Sequence, residues 1–527
     1  MTPLAGLASH LAILPVAVPL VAGTLLLLIA KRGRRLTPLI GLASLGTLLA
    51  IAVTLLVRAD QSAALAYPLG NWPAPFGIVL VADRLAALML VITALIAIAC
   101  QLAAREAASL RFPALLQWQV AGLSGAFLTG DLFNLFVCFE MLLAASYALL
   151  LDRTTPSRLR AGLHYVAINL IGSSLFLIAA ALFYGVAGSL NLADLAARLP
   201  LLAPQDLALV RVAGLLLLVV FAIKAAALPL GLWLPGTYGA APAHVAALFA
   251  IMTKVGIYAI ARVHGTLFGA DAGGALAGLA QPLLLPAGLA TLALGALGAF
   301  AARDLRALVA WLVVGSAGTL LTALGVGTRE ATAAALFYLP HSTFAAGALF
   351  LIVECIARGR DGAAAAADTD TDTEGRYRID GGSRVRGAAL VGTLFFAAAL
   401  MAAGLPPGAG FIGKALLLSA AQAHPLQGWI WALVLTGGLI TLLALVRAAS
   451  AVFWKPAGRA AVPANTTAPA TKAAATTTAT ATASTVAPSA GLVLATLWLL
   501  AAGLLLVLCA RPVHDFLLRA AAALEGA

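Results

Sequence analysis

Five ionisable side chains stand inside apolar runs, where a charge is expensive. Glu140 falls in GDLFNLFVCFEMLLAASYALL, Lys224 in VVFAIKAAALPL, Lys254 in ALFAIMTKVGIYAIA, His341 in FYLPHSTFAAGALFLIVE and Lys414 in GLPPGAGFIGKALLL. An ionisable group at the centre of a bilayer costs at least about 2.5–3.5 kcal/mol on insertion scales, so such a residue is read first as functional. These residue types can all give up and take a proton, and burial disfavours the charged form of each, so a partner that moves can make them exchange. The series Glu/Lys/Lys/His/Lys can then work as a proton relay through buried water, switched by pairing and unpairing. A structural ion pair between Glu140 and Lys224 is the plainer alternative, and a hydrogen-bonded core histidine is the plainer alternative for His341.

The stretch around Lys414 also imitates a nucleotide site. GLPPGAGFIGKALLL carries the glycine spacing of a dinucleotide turn and all but the last residue of a phosphate-binding loop. That loop needs a preceding strand and a Ser or Thr after the lysine, but Ala415 follows Lys414 and apolar runs flank it. What remains is a spanning segment interrupted by Pro406, Pro407, Gly408 and Gly410. Such a break survives at membrane depth only where protein or a water-lined cavity satisfies the freed backbone groups. The same device recurs after Lys224, where Pro229 and Pro235 interrupt the run. Two lysines beside broken helices, at corresponding places in two halves, predict an internal repeat of about five spans.

The elements that must position these residues are membrane helices. The chain has 527 residues, 62% hydrophobic and only 10% charged, with a mean hydropathy of +1.03. About fourteen apolar runs reach the roughly 20 residues needed to cross about 30 Å of hydrocarbon. Period-2 alternation is absent, which argues against a barrel. The first run shows no small-residue cleavage site and is expected to be retained. With the N-terminus outside, 20 Lys and Arg fall in inside loops and 8 outside. The net charge of +12 therefore reports topology and not a nucleic-acid partner. The tracts 358–386 and 458–490 are polar or Ala/Thr/Pro-rich and are read as cytoplasmic connectors. Cys100, Cys138, Cys355 and Cys509 are dispersed, so no metal or iron-sulfur site and no cofactor is expected. His164, near the inside end of its span, is a weaker relay candidate, and Asp131 and Asn134 fit helix capping as well as function.

Six segments, at 129–150, 168–185, 223–235, 248–262, 341–351 and 404–414, together resemble the proton-translocating antiporter-like family. That family is shared by Mrp-type multisubunit cation/proton antiporters and the membrane arm of respiratory complex I. The GDLFN run before Glu140 and a lysine at the second break are similar to the D-type branch of the Mrp group, and the long C-terminal extensions of some paralogues are missing. The resemblance implies an all-α polytopic membrane protein of about 14 transmembrane helices with two inverted five-helix repeats containing broken helices. It also implies proton-transfer roles for Glu140, Lys224, Lys254, His341 and Lys414. One departure concerns the stretch after the first break, where the family often carries histidines and an acidic residue. Here Gly231, Gly236 and Gly239 occupy it, with His244 following Pro242.

The expected organisation is 1–111 as N-terminal helices, 112–261 as the first repeat and 281–454 as the second, with the 358–386 loop inside it. A linker then spans 455–488, followed by a final helix and tail at 489–527. The expected function is that of a proton-translocating membrane subunit of a multisubunit sodium or potassium/proton antiporter, in a hetero-oligomer in the plasma membrane. It would not itself be an enzyme. The alternative is a proton-pumping, non-redox subunit of a quinone oxidoreductase or membrane-bound hydrogenase.

Overall fold

A computed structural model describes residues 10–30, 36–104, 109–152, 155–269, 272–273, 276–360, 375–380, 385–454 and 489–525. Most of the 358–386 loop and nearly all of the 458–490 tract lie outside the described residues. The chain begins with α1 (Leu14–Ile29) and α2 (Thr37–Gln61), followed by a short antiparallel hairpin of β1 (Leu65–Pro68) and β2 (Val79–Ala82). The all-α expectation does not contain this hairpin. Its second strand lies in the apolar sequence just before α3, so the helix itself begins only at Arg84.

The next helices are α3 (Arg84–Ala103), α4 (Phe112–Leu128), α5 (Leu132–Leu151), α6 (Pro156–Ala187), the short α7 (Leu192–Arg198) and α8 (Leu207–Ala225). After a break come α9 (Trp233–Ala240), α10 (Ala243–Phe249) and α11 (Met252–Ala259). A π-helical turn, Ile260–His264, leads into α12 (Gly265–Phe268), so that Ala243–Phe268 forms one apolar span. The second half contains α13 (Gln281–Ala301), α14 (Leu305–Val326), α15 (Arg329–Arg360), α16 (Ala388–Ala403), α17 (Ala409–Ala420), α18 (Gln427–Ala449), α19 (Ala490–Leu508) and α20 (Ala510–Glu525). Among the described residues, 11 helices are long and apolar enough to cross a membrane, and α1, α16 and α17 are shorter apolar helices.

The helix ends follow local chemistry. Asp83 caps α3 by accepting from the Ala86 N–H, Asp131 caps α5 through Asn134, and Asp304 caps α14 through Arg306 and Ala307. The plain account of Asp131 is thus how that side chain is used. At the other end, Gly188 and Gly327 close α6 and α14 in the left-handed conformation.

Helix packing relies on small residues, as expected where lipid tails remove the hydrophobic drive between helices. On α14, Gly318 faces the backbone of Leu292 on α13, and Gly325 faces that of Leu285. A Cβ at either position would meet main chain, which has little freedom to yield. The helix α15 is the axis of the second half. Its apolar window is wholly buried, and it packs against α14, α16, α17, α19 and α20.

Charged residues collect in two layers at opposite helix ends. At one end, Glu354 pairs with Arg358 at 2.9 Å and accepts from the Tyr377 hydroxyl at 2.9 Å, while Arg306 lies 3.8 Å over the Tyr377 ring. Burial, reinforced by the Glu354 carboxylate, pushes the Tyr377 phenol up. At the other end, Asp60 pairs with Arg519 at 2.8 Å and with Arg84 at 3.4 Å, and Asp83 holds Arg262 through two contacts of 2.6 and 2.7 Å. The first layer is built from the loops assigned to the inside.

Candidate proton-transfer site

Lys224 is placed by the end of α8. The chain turns directly after it, with Ala226 in the left-handed region at φ 56° and the Ala227 N–H returning to the Ala222 carbonyl. This break also explains one departure from the family pattern. A Cβ on Gly231 would strike the Ala226 carbonyl, so the turn needs a residue without a side chain there. Gly236 has no such constraint, and a Cβ on Gly239 would meet only ordinary contacts with Ala307.

Glu140 and Lys224 are not directly bonded. The Lys224 ammonium donates to Asn169 Oδ1 at 3.0 Å, and the Ser173 hydroxyl donates to the Glu140 carboxylate. Asn169 and Ser173 lie four residues apart on one face of α6 and are buried at 1% and 7% exposure. They form a neutral bridge between acid and base. The ion-pair alternative raised by the sequence is therefore replaced by a two-residue polar link, and the lysine also sits 5.8 Å from the Phe139 ring centre.

Lys254 is wholly buried and donates to Ser316 Oγ at 3.0 Å, a hydroxyl that in turn donates to the Val313 carbonyl. Two residues on, Gly256 lies against the backbone of Lys224 and Ala225, which brings the Lys254 segment onto the end of α8. Ser316 also lines a cavity of about 40 Å³, shared with Thr319, Tyr338, His341 and Lys414. That volume exceeds the ~10–15 Å³ a water needs. The lining is polar enough to hold water, and Lys254 reaches this hydratable space through Ser316 while His341 and Lys414 border it directly.

His341 is at 1% exposure, and its Nδ1 has no partner among the described residues. A Cβ on Gly410 would meet its Nε2, so α17 can rest against α15 at this height only because that residue is glycine. Lys414 donates to the Ala403 carbonyl at 3.0 Å, one of the groups released where α16 ends at Gly404. The GLPPG sequence is therefore the break itself, and the lysine satisfies part of it. The other candidates lie apart. His164 is exposed on α6, and Cys100, Cys138, Cys355 and Cys509 are free thiols.

His244 borders a second cavity, of about 160 Å³, lined also by Asp152, Arg158, Arg306, Glu354 and Tyr377 at the basic end of the structure. Its ring stands edge-on to Phe112 at 4.7 Å. Ten residues separate it from Lys254 on the same span, roughly 15 Å at 1.5 Å per residue.

Lys224, Lys254 and Lys414 are the three lysines among the described residues, and each is held by a neutral oxygen. Residues 129–441 match the family model described as NADH:quinone oxidoreductase/Mrp antiporter, transmembrane. The chain belongs to this family. As a member of the NADH:quinone oxidoreductase/Mrp antiporter family it is similar to the D-type subunit of a probable K(+)/H(+) antiporter from Rhizobium meliloti. The two are 44% identical over 469 residues, covering 84% of this chain and 87% of that relative. The D-type subunit of the Na(+)/H(+) antiporter of Alkalihalophilus pseudofirmus is 34% identical over 453 residues, covering 85% and 87%. Among solved structures, a chain of the Mrp complex from Dietzia sp. superposes with a TM-score of 0.83 at 29% identity, covering 100% of this chain and 98% of the other. The matched family region contains Glu140, Lys224, Lys254, His341 and Lys414. It also contains Asn169, Ser173 and Ser316, which sequence reasoning passed over. Their signal was available as polar residues within apolar runs, but Ser and Asn inside helices commonly bond their own backbone and carry no special mark.

Proposed function

We propose that the chain is the proton-translocating membrane subunit of a multisubunit monovalent cation/proton antiporter. In this reading it acts in the bacterial plasma membrane within a hetero-oligomer, the latter in keeping with relatives named as subunits. About fourteen crossings are arranged as two inverted five-helix repeats, 112–261 and 281–454, preceded by helices in 1–111 and followed by a linker at 455–488 and a final segment at 489–527.

The observation that carries the proposal is the neutral pairing of the buried lysines. A lysine fixed in an ion pair keeps its proton, because a buried countercharge favours the charged form. A lysine that meets only an amide, a hydroxyl or a carbonyl can release its proton without leaving an unpaired carboxylate behind. In the relay, protonation of Lys224 is coupled to Glu140 through Asn169 and Ser173. Lys254 exchanges through Ser316 with the water space that His341 and Lys414 share. Lys414 delivers or receives protons beside the α16–α17 break. Movement of a proton past each lysine changes the charge next to the following one, and that electrostatic change is what couples the steps.

The relatives' names favour an antiporter over a redox assembly. The test is to express the chain with its neighbouring subunits, reconstitute the purified complex in vesicles and impose a sodium or potassium gradient. A proton flux that follows the cation gradient without any electron donor is expected. Proton movement that appears only with an electron donor would assign the chain to the redox class instead.

A further inference from the structure

The span Ala243–Phe268 carries a second histidine, His264, at the end opposite His244. His264 is 5% exposed and forms part of the π-helical turn Ile260–His264. A π turn inserts one residue into the helical repeat and so rotates the face that follows by about 100°. Here the rotated face looks onto a cavity of about 330 Å³, which His264 lines together with Gln281, Arg329 and Thr332.

The hydrogen bonds fix what this cavity can hold. Nε2 of His264 lies 3.1 Å from the Gly214 carbonyl, which can only accept, so Nε2 carries a hydrogen. In the neutral ring Nδ1 is then an acceptor, and it has no partner among the described residues. The Gln281 Oε1, in the same cavity, is a second buried acceptor without a partner. Two buried acceptors that no protein donor reaches would be costly in a dry space, and water entering the cavity is the donor that relieves them. Water supplies one, and a hydrated proton supplies a stronger one. The cavity has a route for them, because Gly327 and Arg329 at its rim are exposed. That rim lies at the helix ends away from the basic loops, which places it on the outer face.

We propose that this cavity is a water-filled outer vestibule in which His264 Nδ1 takes up and releases protons, giving the Lys254 span a proton-exchanging group at its outer end. The inference rests on the antiporter reading above for its transport role, but the vestibule itself does not. The surroundings suit a group that titrates on its own. From α8 it meets Gly214 and Phe221 and from α12 Phe268, the cavity is further lined by Gln281 of α13 and Leu524 of α20, and Arg329 on α15 is the one charged residue lining it among the described residues. The step moves one proton from hydronium to Nδ1, leaving water and an imidazolium that keeps its Gly214 bond, and the reverse step restores both. The separation between Lys254 and His264 is ten residues, roughly 15 Å, so water must bridge it.

Two measurements on the intact complex test this. In a background where Cys100, Cys138, Cys355 and Cys509 are replaced, Thr332→Cys should react with a membrane-impermeant thiol reagent added from outside, and not with the reagent confined inside. Absence of outside labelling overturns the vestibule, whatever the transport activity. For the proton role, His264→Gln keeps a donor for the Gly214 carbonyl and an acceptor toward the cavity but cannot titrate. It should slow exchange by about a hundredfold or more, the scale of losing one positioned proton-transfer group, and flatten its dependence on outside pH at equal assembled protein. A His264→Gln complex with wild-type rate and wild-type pH profile overturns the proton role. Failure of wild-type complex to exchange at all would instead count against the antiporter reading, and labelling of Thr332→Cys would still report the vestibule.

Discussion

Glu140→Ala should reduce cation/proton exchange by about a hundredfold or more, the scale expected when a positioned proton-transfer acid is removed, while the complex still assembles. The carboxylate is only partly buried, it stabilises no helix end, and its bond is to the Ser173 hydroxyl. Removing it frees the Ser173 hydroxyl to turn its one proton to the Asn169 carbonyl, 3.0 Å away, so no buried donor is orphaned. What disappears is the negative charge on the far side of the Asn169–Ser173 bridge from Lys224. Without it, protonation of Lys224 in a buried site loses its counterweight and the first step of the relay stalls. Glu140→Asp, with the charge kept but drawn back by one methylene, should restore part of the flux. The measurement is exchange in vesicles matched for assembled complex. If Glu140 were structural, assembly and not specific exchange would fall.

Lys414→Arg should fail nearly as badly as Lys414→Ala, both losing exchange by about a hundredfold on the same scale. Arginine keeps the positive charge but scarcely gives up its proton, so the pair of substitutions separates charge balance from proton transfer. The site is narrow. A Cβ on Gly404 would lie 3.1 Å from the Lys414 ammonium, and one on Gly438 would lie 3.4 Å from it. Assembled protein must therefore be measured for each variant, so that a guanidinium that does not fit is not mistaken for a guanidinium that does not deprotonate. Near wild-type exchange by Lys414→Arg across a pH series would make the lysine an electrostatic element and remove it from the relay.

The parts of this structure that could be seen in the sequence are those in which a residue carries a large, context-independent cost. A lysine, a glutamate or a histidine in the middle of an apolar run is conspicuous because the bilayer penalises it wherever its partners lie. Proline pairs at 406 and 407 mark a break for the same reason, since no surrounding fold restores a missing N–H. The chain reinforces the pattern by how it uses its basic residues. Of its six lysines, Lys224, Lys254 and Lys414 are interior, whereas its loops are served mainly by arginine, the side chain that does not release its proton.

The parts that could not be seen depend on which faces meet. Asn169, Ser173 and Ser316 become candidate proton-path residues only because α6 and α14 turn those faces toward Lys224 and Lys254, and nothing in a serine's immediate neighbours announces that. The second strand of the β1–β2 hairpin is hidden in an apolar run, since VLVA reads equally well as the start of a helix. The π turn at Ile260–His264 left no composition signal at all. It arises from packing, and with it comes the direction in which His264 points.

The central claim is that buried lysines carry protons, and Lys254 tests it most directly because it is wholly buried and its hydrogen bond goes to a hydroxyl, that of Ser316. Wild-type and Lys254→Met complexes should be reconstituted at equal assembled protein, and proton flux and cation flux followed in the same vesicles after a cation gradient is imposed. Methionine fills the space with an uncharged chain and leaves Ser316 its bond to the Val313 carbonyl, so packing is preserved. The account predicts that both fluxes fall together, to the level of empty vesicles. Coupled exchange at the wild-type rate by the Lys254→Met complex would contradict it.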